Sequence, residues 1–165
     1  MAKKLLNLVI HCTATPEGRE VTSNEIRAWH LSPPPAGRGW KKVGYSAMFH
    51  LDGTMEVLTP FNEDDYVEDS EITNGAVGVN SISRHIVYAG GIDKTTKKPK
   101  DTRTNAQSIT MANFVKQTIA AHPNILVAGH NQFAPKACPS FDVPTWLRII
   151  GVNEKNIHKA PNKST

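Results

Sequence analysis

The run LLNLVIHC, residues 5–12, limits the possible folds more than any other stretch of the chain. It is almost continuously apolar, yet far too short to span a membrane. A strand that is apolar on both faces must be covered on both, which is the situation inside a mainly parallel sheet sheathed by helices. Alternation puts Val9 and His11 on one face and Ile10 and Cys12 on the other. The run stops at residues 13–18, where Pro16 and Gly18 favour a turn.

The rest of the chain reads as further strands and helices. Thr22 and Glu25 spell a capping box before IRAWH and predict a helix over residues 23–31, with Ile26 and either Trp29 or His30 turned inward. SPPPAGRGWKK cannot continue that helix. Residues 45–51 and 55–58 flank Asp52-Gly53, a β-hairpin signal. Residues 61–78 are acidic and irregular. Residues 81–89 read as a strand in which Ile82, Ile86 and Tyr88 alternate and Arg84 interrupts the apolar side. Beyond a lysine-rich loop, Thr104 and Gln107 form a second capping box. Ile109, Ala112, Val115 and Ile119 then recur at helical spacing until Pro123. Residues 125–128 form a short strand leading to Gly129-His130, and Asp142 caps a last helix that Gly151 ends. The expected class is α/β: a single domain with a mixed central β-sheet flanked by helices. The domain is expected over residues 1–151, with residues 152–165 a polar C-terminal tail that frays.

Composition excludes several classes. At 39% hydrophobic and 21% charged residues the chain is not disordered, and two cysteines in 165 residues are no disulfide framework. The apolar core of LLNLVI is too short and interrupted for a signal peptide, so the expectation is a soluble monomer, cytoplasmic as synthesised and needing another system to reach any external target. The net charge of +4 either attracts an anionic partner or simply aids solubility. No basic helix or glycine-aromatic signature points to nucleic acid, and no membrane partner is expected.

The chemistry concentrates at strand ends. His11 and His130 each close a short apolar strand and precede a loop, and α/β sheets hold ligands just beyond strand ends. If the two ends share an edge, the imidazoles converge and Cys138 can fold back from GHNQFAPKACPSF. Two His and one Cys suit Zn²⁺, and three protein ligands leave a fourth position for water, as in a catalytic site. Spacing alone leaves two readings open: this zinc site, or a buried thiol near an unrelated His. Cys12 points away from His11 and is assigned to the core.

LVIHCTAT, EIRAWH, GWKKVGYSAMFHLDGT, GGID and HNQFAPKACPSFD occur in that order over about residues 8–146. Together they resemble the zinc-dependent N-acetylmuramoyl-L-alanine amidases of the phage-lysozyme type, a family that includes peptidoglycan recognition proteins. The resemblance implies His11, His130 and Cys138 as zinc ligands, and Tyr45 and Lys136 as catalytic residues. It implies hydrolysis of the amide between N-acetylmuramic acid and L-alanine in peptidoglycan or a muropeptide, with Lys136 stabilising the oxyanion and Tyr45 donating to it or relaying a proton. The alternatives are a non-catalytic peptidoglycan-binding module on the same fold, and a structural zinc site closed by Asp142. A phage endolysin, a delivered effector and a muropeptide recycling enzyme all remain open. The chain departs from many relatives at Ser46, which follows the tyrosine of VGY, at Asn74-Gly75, where some carry a His, and around residues 83–85. His30 is expected to be structural, His122 to sit at a helix end, and Trp40 to touch substrate.

Overall fold

A computed structural model describes residues 1–164. The strands are β1 (Lys3–Lys4), β2 (Asn7–Cys12), β3 (Thr15–Pro16), β4 (Ala47–Phe49), β5 (Met55–Val57), β6 (Tyr66–Val67), β7 (Ser83–Tyr88), β8 (Gly91–Ile92) and β9 (Leu126–Gly129). The helices are α1 (Ser23–Leu31), α2 (Asn105–Ala121) and α3 (Val143–Ile149). The central sheet runs β5-β4-β7-β2-β9, parallel throughout except for β5, which pairs antiparallel with β4 across the Asp52-Gly53 turn. β1–β6 and β3–β8 form two small ribbons beside it.

All six residues of β2 are buried, as its apolar composition requires, and so are all six of β7. Leu8, Ile10, Cys12, Ile86 and Tyr88 pack with Met111 and Val115 of α2 and with Val143, Trp146 and Leu147 of α3. On the other face Met48, Val87 and Ala89 pack with Ile26 of α1. The mixed sheet flanked by helices is therefore as expected. Among the described residues no helix is long and apolar enough to cross a membrane.

The capping residues act as read, with one difference. Thr104 and Gln107 exchange both hydrogen bonds of a capping box. Thr22 accepts from the Glu25 amide, while the Glu25 carboxylate turns to Arg19 at 3.1 Å instead of reaching back. Arg84 stays in a buried strand because its guanidinium meets Glu63 at 3.2 Å and the Asn62 carbonyl at 2.8 Å, and lies over the Phe61 ring.

One expectation is corrected, and the helix read from the spacing of Ile109, Ala112, Val115 and Ile119 is α2. Ile109 is 62% exposed; the inward stripe of α2 is Gln107, Met111, Val115 and Thr118. The buried Gln107 amide makes this possible by donating to the Phe49 and Ala89 carbonyls. Residues 157–163 are docked on the domain where a frayed tail was expected. Ile157 is buried and bridges to Val127, Gln132 donates to the His158 and Ala160 carbonyls, and the Lys163 amide donates to the Asn131 carbonyl. Polar composition concealed this docking because backbone carbonyls, which any sequence supplies, make most of it.

Candidate metal centre

β2 and β9 are parallel neighbours with Ile10 opposite Gly129, so His11 and His130 emerge at the same carboxyl edge of the sheet. Their ring centroids are 4.6 Å apart. Cys138 returns to them on a loop that is held at several points. The Tyr88 hydroxyl donates to the Pro139 carbonyl at 2.6 Å, and the Asn131 side chain donates to the Phe141 carbonyl at 3.3 Å. The Cys12 amide donates to Cys138 Sγ at 3.3 Å. Gly91, of the GGID motif, has φ +104, and a Cβ there would lie 2.4 Å from Cys12 Sγ, so only glycine lets β8 pass this close.

One donor atom from each of His11, His130 and Cys138 falls within 4.8 Å of the other two. His11 Nδ1 is 3.7 Å from Cys138 Sγ. Tetrahedral zinc with bonds of about 2.0 Å to nitrogen and about 2.3 Å to sulfur sets such atoms about 3.5 Å apart. The donor set and its spacing therefore fit zinc. Asp142 is not part of the cluster; its carboxylate accepts from the Thr145 amide and caps α3.

The charge states fit as well. Burial, then the neighbouring His85, His130 and Lys136, holds His11 well below its usual range. Burial and Lys136 bring His130 down to about 4. Both imidazoles are thus neutral near pH 7, the form that binds metal. Burial pushes the Cys138 thiol well up, opposed by the Cys12 amide and Lys136. A divalent cation held by the three donors would supply the charge that favours its thiolate.

The site opens into a cleft of about 240 Å³. Tyr45 and Lys136 both line it, so the five residues singled out in the sequence converge. The Tyr45 ring lies 5.2 Å from His11. Burial raises its phenol pKa, so the hydroxyl is a donor at every physiological pH. Lys136 is exposed on the rim. Trp40 does not line the cleft. It stacks on His30 at 4.8 Å under Arg38, and Trp29 and Arg38 form the wall instead. His30 both lines the cleft and accepts the Gly44 amide at 3.0 Å, so the structural role expected for it is met. Cys12 packs its side chain in the core with Ile10 and Tyr88, as alternation predicts, and also borders the cleft.

Sequence reasoning left His85 unassigned. It lies in β7 opposite Val9 of β2, on the His11 face, with Nδ1 2.9 Å from His11 Nε2. Only the inter-strand register reveals this pair, because the two residues are far apart in the chain.

No family model matches the chain. The endolysin of Escherichia phage T7 is 32% identical over 139 residues, which cover 84% of this chain and 83% of that protein. The chain belongs to the phage endolysin family. Its fold is shared more widely. The N-acetylmuramoyl-L-alanine amidase LysC from Clostridium intestinale superposes with a TM-score of 0.67 at 20% identity, covering 91% of this chain and 87% of LysC. Drosophila peptidoglycan recognition protein SA does so with a TM-score of 0.65 at 13% identity, covering 98% and 88%. The expected amidase and recognition-protein architecture is therefore present in this endolysin-family chain.

Proposed function

We propose that the chain is a zinc-dependent N-acetylmuramoyl-L-alanine amidase that cuts the bond between the lactyl group of N-acetylmuramic acid and L-alanine in peptidoglycan. The observation that carries this reading is the His11–His130–Cys138 cluster at the floor of a cleft that Tyr45 and Lys136 also line. Membership of the endolysin family supports a cell-wall substrate.

His11, His130 and Cys138 would hold the metal. Zinc bound there supplies Lewis acidity, which polarises a carbonyl and acidifies water near neutral pH. The protein's own groups do the rest. Lys136 lines the same cleft as His130 and Cys138, and its positive charge stabilises the negative charge that grows on the amide oxygen during attack. Tyr45, protonated and facing the same cleft, donates a hydrogen bond to that oxygen. Trp29 and the aliphatic part of Arg38 offer apolar wall for the sugar and peptide. A binding-only module would need neither a complete set of three donors nor a charge poised beside it, so hydrolysis is the favoured reading.

Digestion of purified peptidoglycan with mass spectrometry of the products tests this. Free stem peptides beginning at L-alanine, abolished by a chelator and restored by zinc, are expected; new reducing sugar ends would refute it. Lys136→Met is expected to lower kcat by about 10²–10³-fold with zinc content unchanged, the magnitude typical of removing one oxyanion donor. An unaltered kcat would remove Lys136 from the mechanism.

A further inference from the structure

We propose that His85 is a positioning residue for the metal ligand His11: by accepting a hydrogen bond at Nδ1 it holds the His11 proton on Nε2 and keeps Nδ1 free for the metal. The inference rests on reading the three donors as a metal centre. It adds a fourth residue that none of the site motifs contains.

The geometry leaves His11 one productive arrangement. Its Nε2 faces His85 Nδ1 at 2.9 Å, and its Nδ1 faces Cys138 Sγ at 3.7 Å. A neutral imidazole has one N–H and one lone pair. Metal binding beside Cys138 uses the Nδ1 lone pair, so the proton sits on Nε2 and is donated to His85. His85 must then carry its own proton on Nε2. In the opposite arrangement His85 donates from Nδ1, the His11 proton moves to Nδ1, and the ligand atom is lost. The pair is therefore coupled: the proton position on His85 decides whether His11 is competent.

The surroundings of His85 are built for the ring. It is fully buried, and its Nε2 has no hydrogen-bond partner among the described residues. That is an expensive residue to keep in a central strand, since an unmet buried polar group costs about 1–3 kcal/mol. The chain also clears space for it. A Cβ on Gly75 would lie 2.3 Å from His85 Nδ1 and 2.4 Å from Cγ, so position 75 has to be glycine while the ring stands there. A leucine at 85 would fill the volume without the unmet nitrogen. What it could not supply is an acceptor for His11. Partners that orient a metal-bound imidazole typically change metal affinity by about 10–100-fold when removed.

Zinc affinity, measured by competition with a chromophoric chelator, is the readout, with far-UV circular dichroism of the metal-free proteins as the check on folding. His85→Leu is expected to bind zinc about 10–100-fold more weakly. His85→Asn, whose Oδ1 stands near the place of Nδ1 and accepts the same hydrogen bond, is expected to recover most of the loss, which a space-filling role would not produce. In zinc-loaded wild type, ¹⁵N NMR is expected to find the His85 proton on Nε2 and its Nδ1 unprotonated. A folded Leu variant with wild-type affinity overturns the inference while leaving the metal centre intact. If the Leu variant does not fold, the NMR decides: a proton on Nδ1 of His85 in the zinc-loaded protein overturns it, and one on its Nε2, with Nδ1 accepting from His11, supports it. A wild type that binds no zinc overturns the metal centre and this inference together.

Discussion

Cys138→Ser is expected to yield a folded protein that retains no zinc after gel filtration and cleaves peptidoglycan at least about 10³-fold more slowly. A serine hydroxyl is nearly isosteric with the thiol, and the loop around it does not depend on sulfur. The Tyr88–Pro139, Asn131–Phe141 and Asp142–Thr145 hydrogen bonds all remain. The chemistry does depend on sulfur. A thiol releases its proton to a bound cation near neutral pH, whereas a hydroxyl does not, so the substituted site offers two neutral imidazoles and no anion. Two ligands rather than three also lose the chelate that holds the metal against dilution. Metal analysis of the purified variant, paired with a peptidoglycan digest, reads both consequences. A Ser variant that kept stoichiometric zinc and full activity would overturn the assignment of Cys138.

Acid is expected to destabilise the metal-free protein steeply between about pH 6.5 and about pH 4, with the sign set by buried histidines rather than by carboxylates. Burial brings His30 and His130 down to about 4 and His85 to about 3, and holds His11 well below its usual range. Above about pH 6.5 these rings are neutral whether the chain is folded or not. Below it the unfolded chain takes up protons that the folded one refuses, so each step down in pH favours unfolding. The stabilisation is fully present above the unfolded pKa and is lost as pH falls towards the folded values. Several such rings acting together weigh heavily against a typical domain stability of about 5–15 kcal/mol. His50 works the other way. Partial burial alone would lower it, but the Glu20 and Glu56 carboxylates at 2.9 Å outweigh this and raise it. Its contribution is present below the unfolded pKa and lost as pH rises through the folded one. One surface histidine does not offset four buried ones. Urea denaturation of chelator-treated protein at pH 7, 6 and 5 is expected to show a midpoint that falls at each step; a flat midpoint would refute this. Zinc is expected to raise the midpoint at pH 7, because it binds the folded chain, and to do so less at pH 5, where protons compete for the same nitrogens.

These expectations show which parts of the molecule the sequence discloses. His11 and His130 were legible because each ends an apolar run, and a run buried on both faces implies parallel neighbours and a shared edge. Cys138 was ambiguous until it was set beside the other motifs, since one thiol in a loop has many fates. Tyr45 and Lys136 came only from the family resemblance; nothing in their local spacing places them at one cleft. The spacing of Ile109 disclosed the helix but not its buried face, because periodicity alone does not say which of two overlapping stripes turns inward. A buried glutamine with two strand carbonyls to satisfy chose the other one. His85 was invisible for a different reason. Its partner lies across a strand pairing, and register between distant segments leaves no trace in either segment alone.

The docked C-terminal segment carries a practical warning. Gln132 and Asn131 follow His130 directly, and both are tied to residues 158–163. A shortened variant cut at Gly151, where composition invites the cut, would keep every residue of the His11–His130–Cys138 cluster and of the cleft beside it. It would still bare the Val127 edge of the sheet and untether the turn that aims an imidazole. Loss of activity in such a variant would look like evidence for a wall-binding tail, when the missing residues had only been bracing the candidate metal centre from behind. Affinity handles and fused domains placed at that end load the same brace.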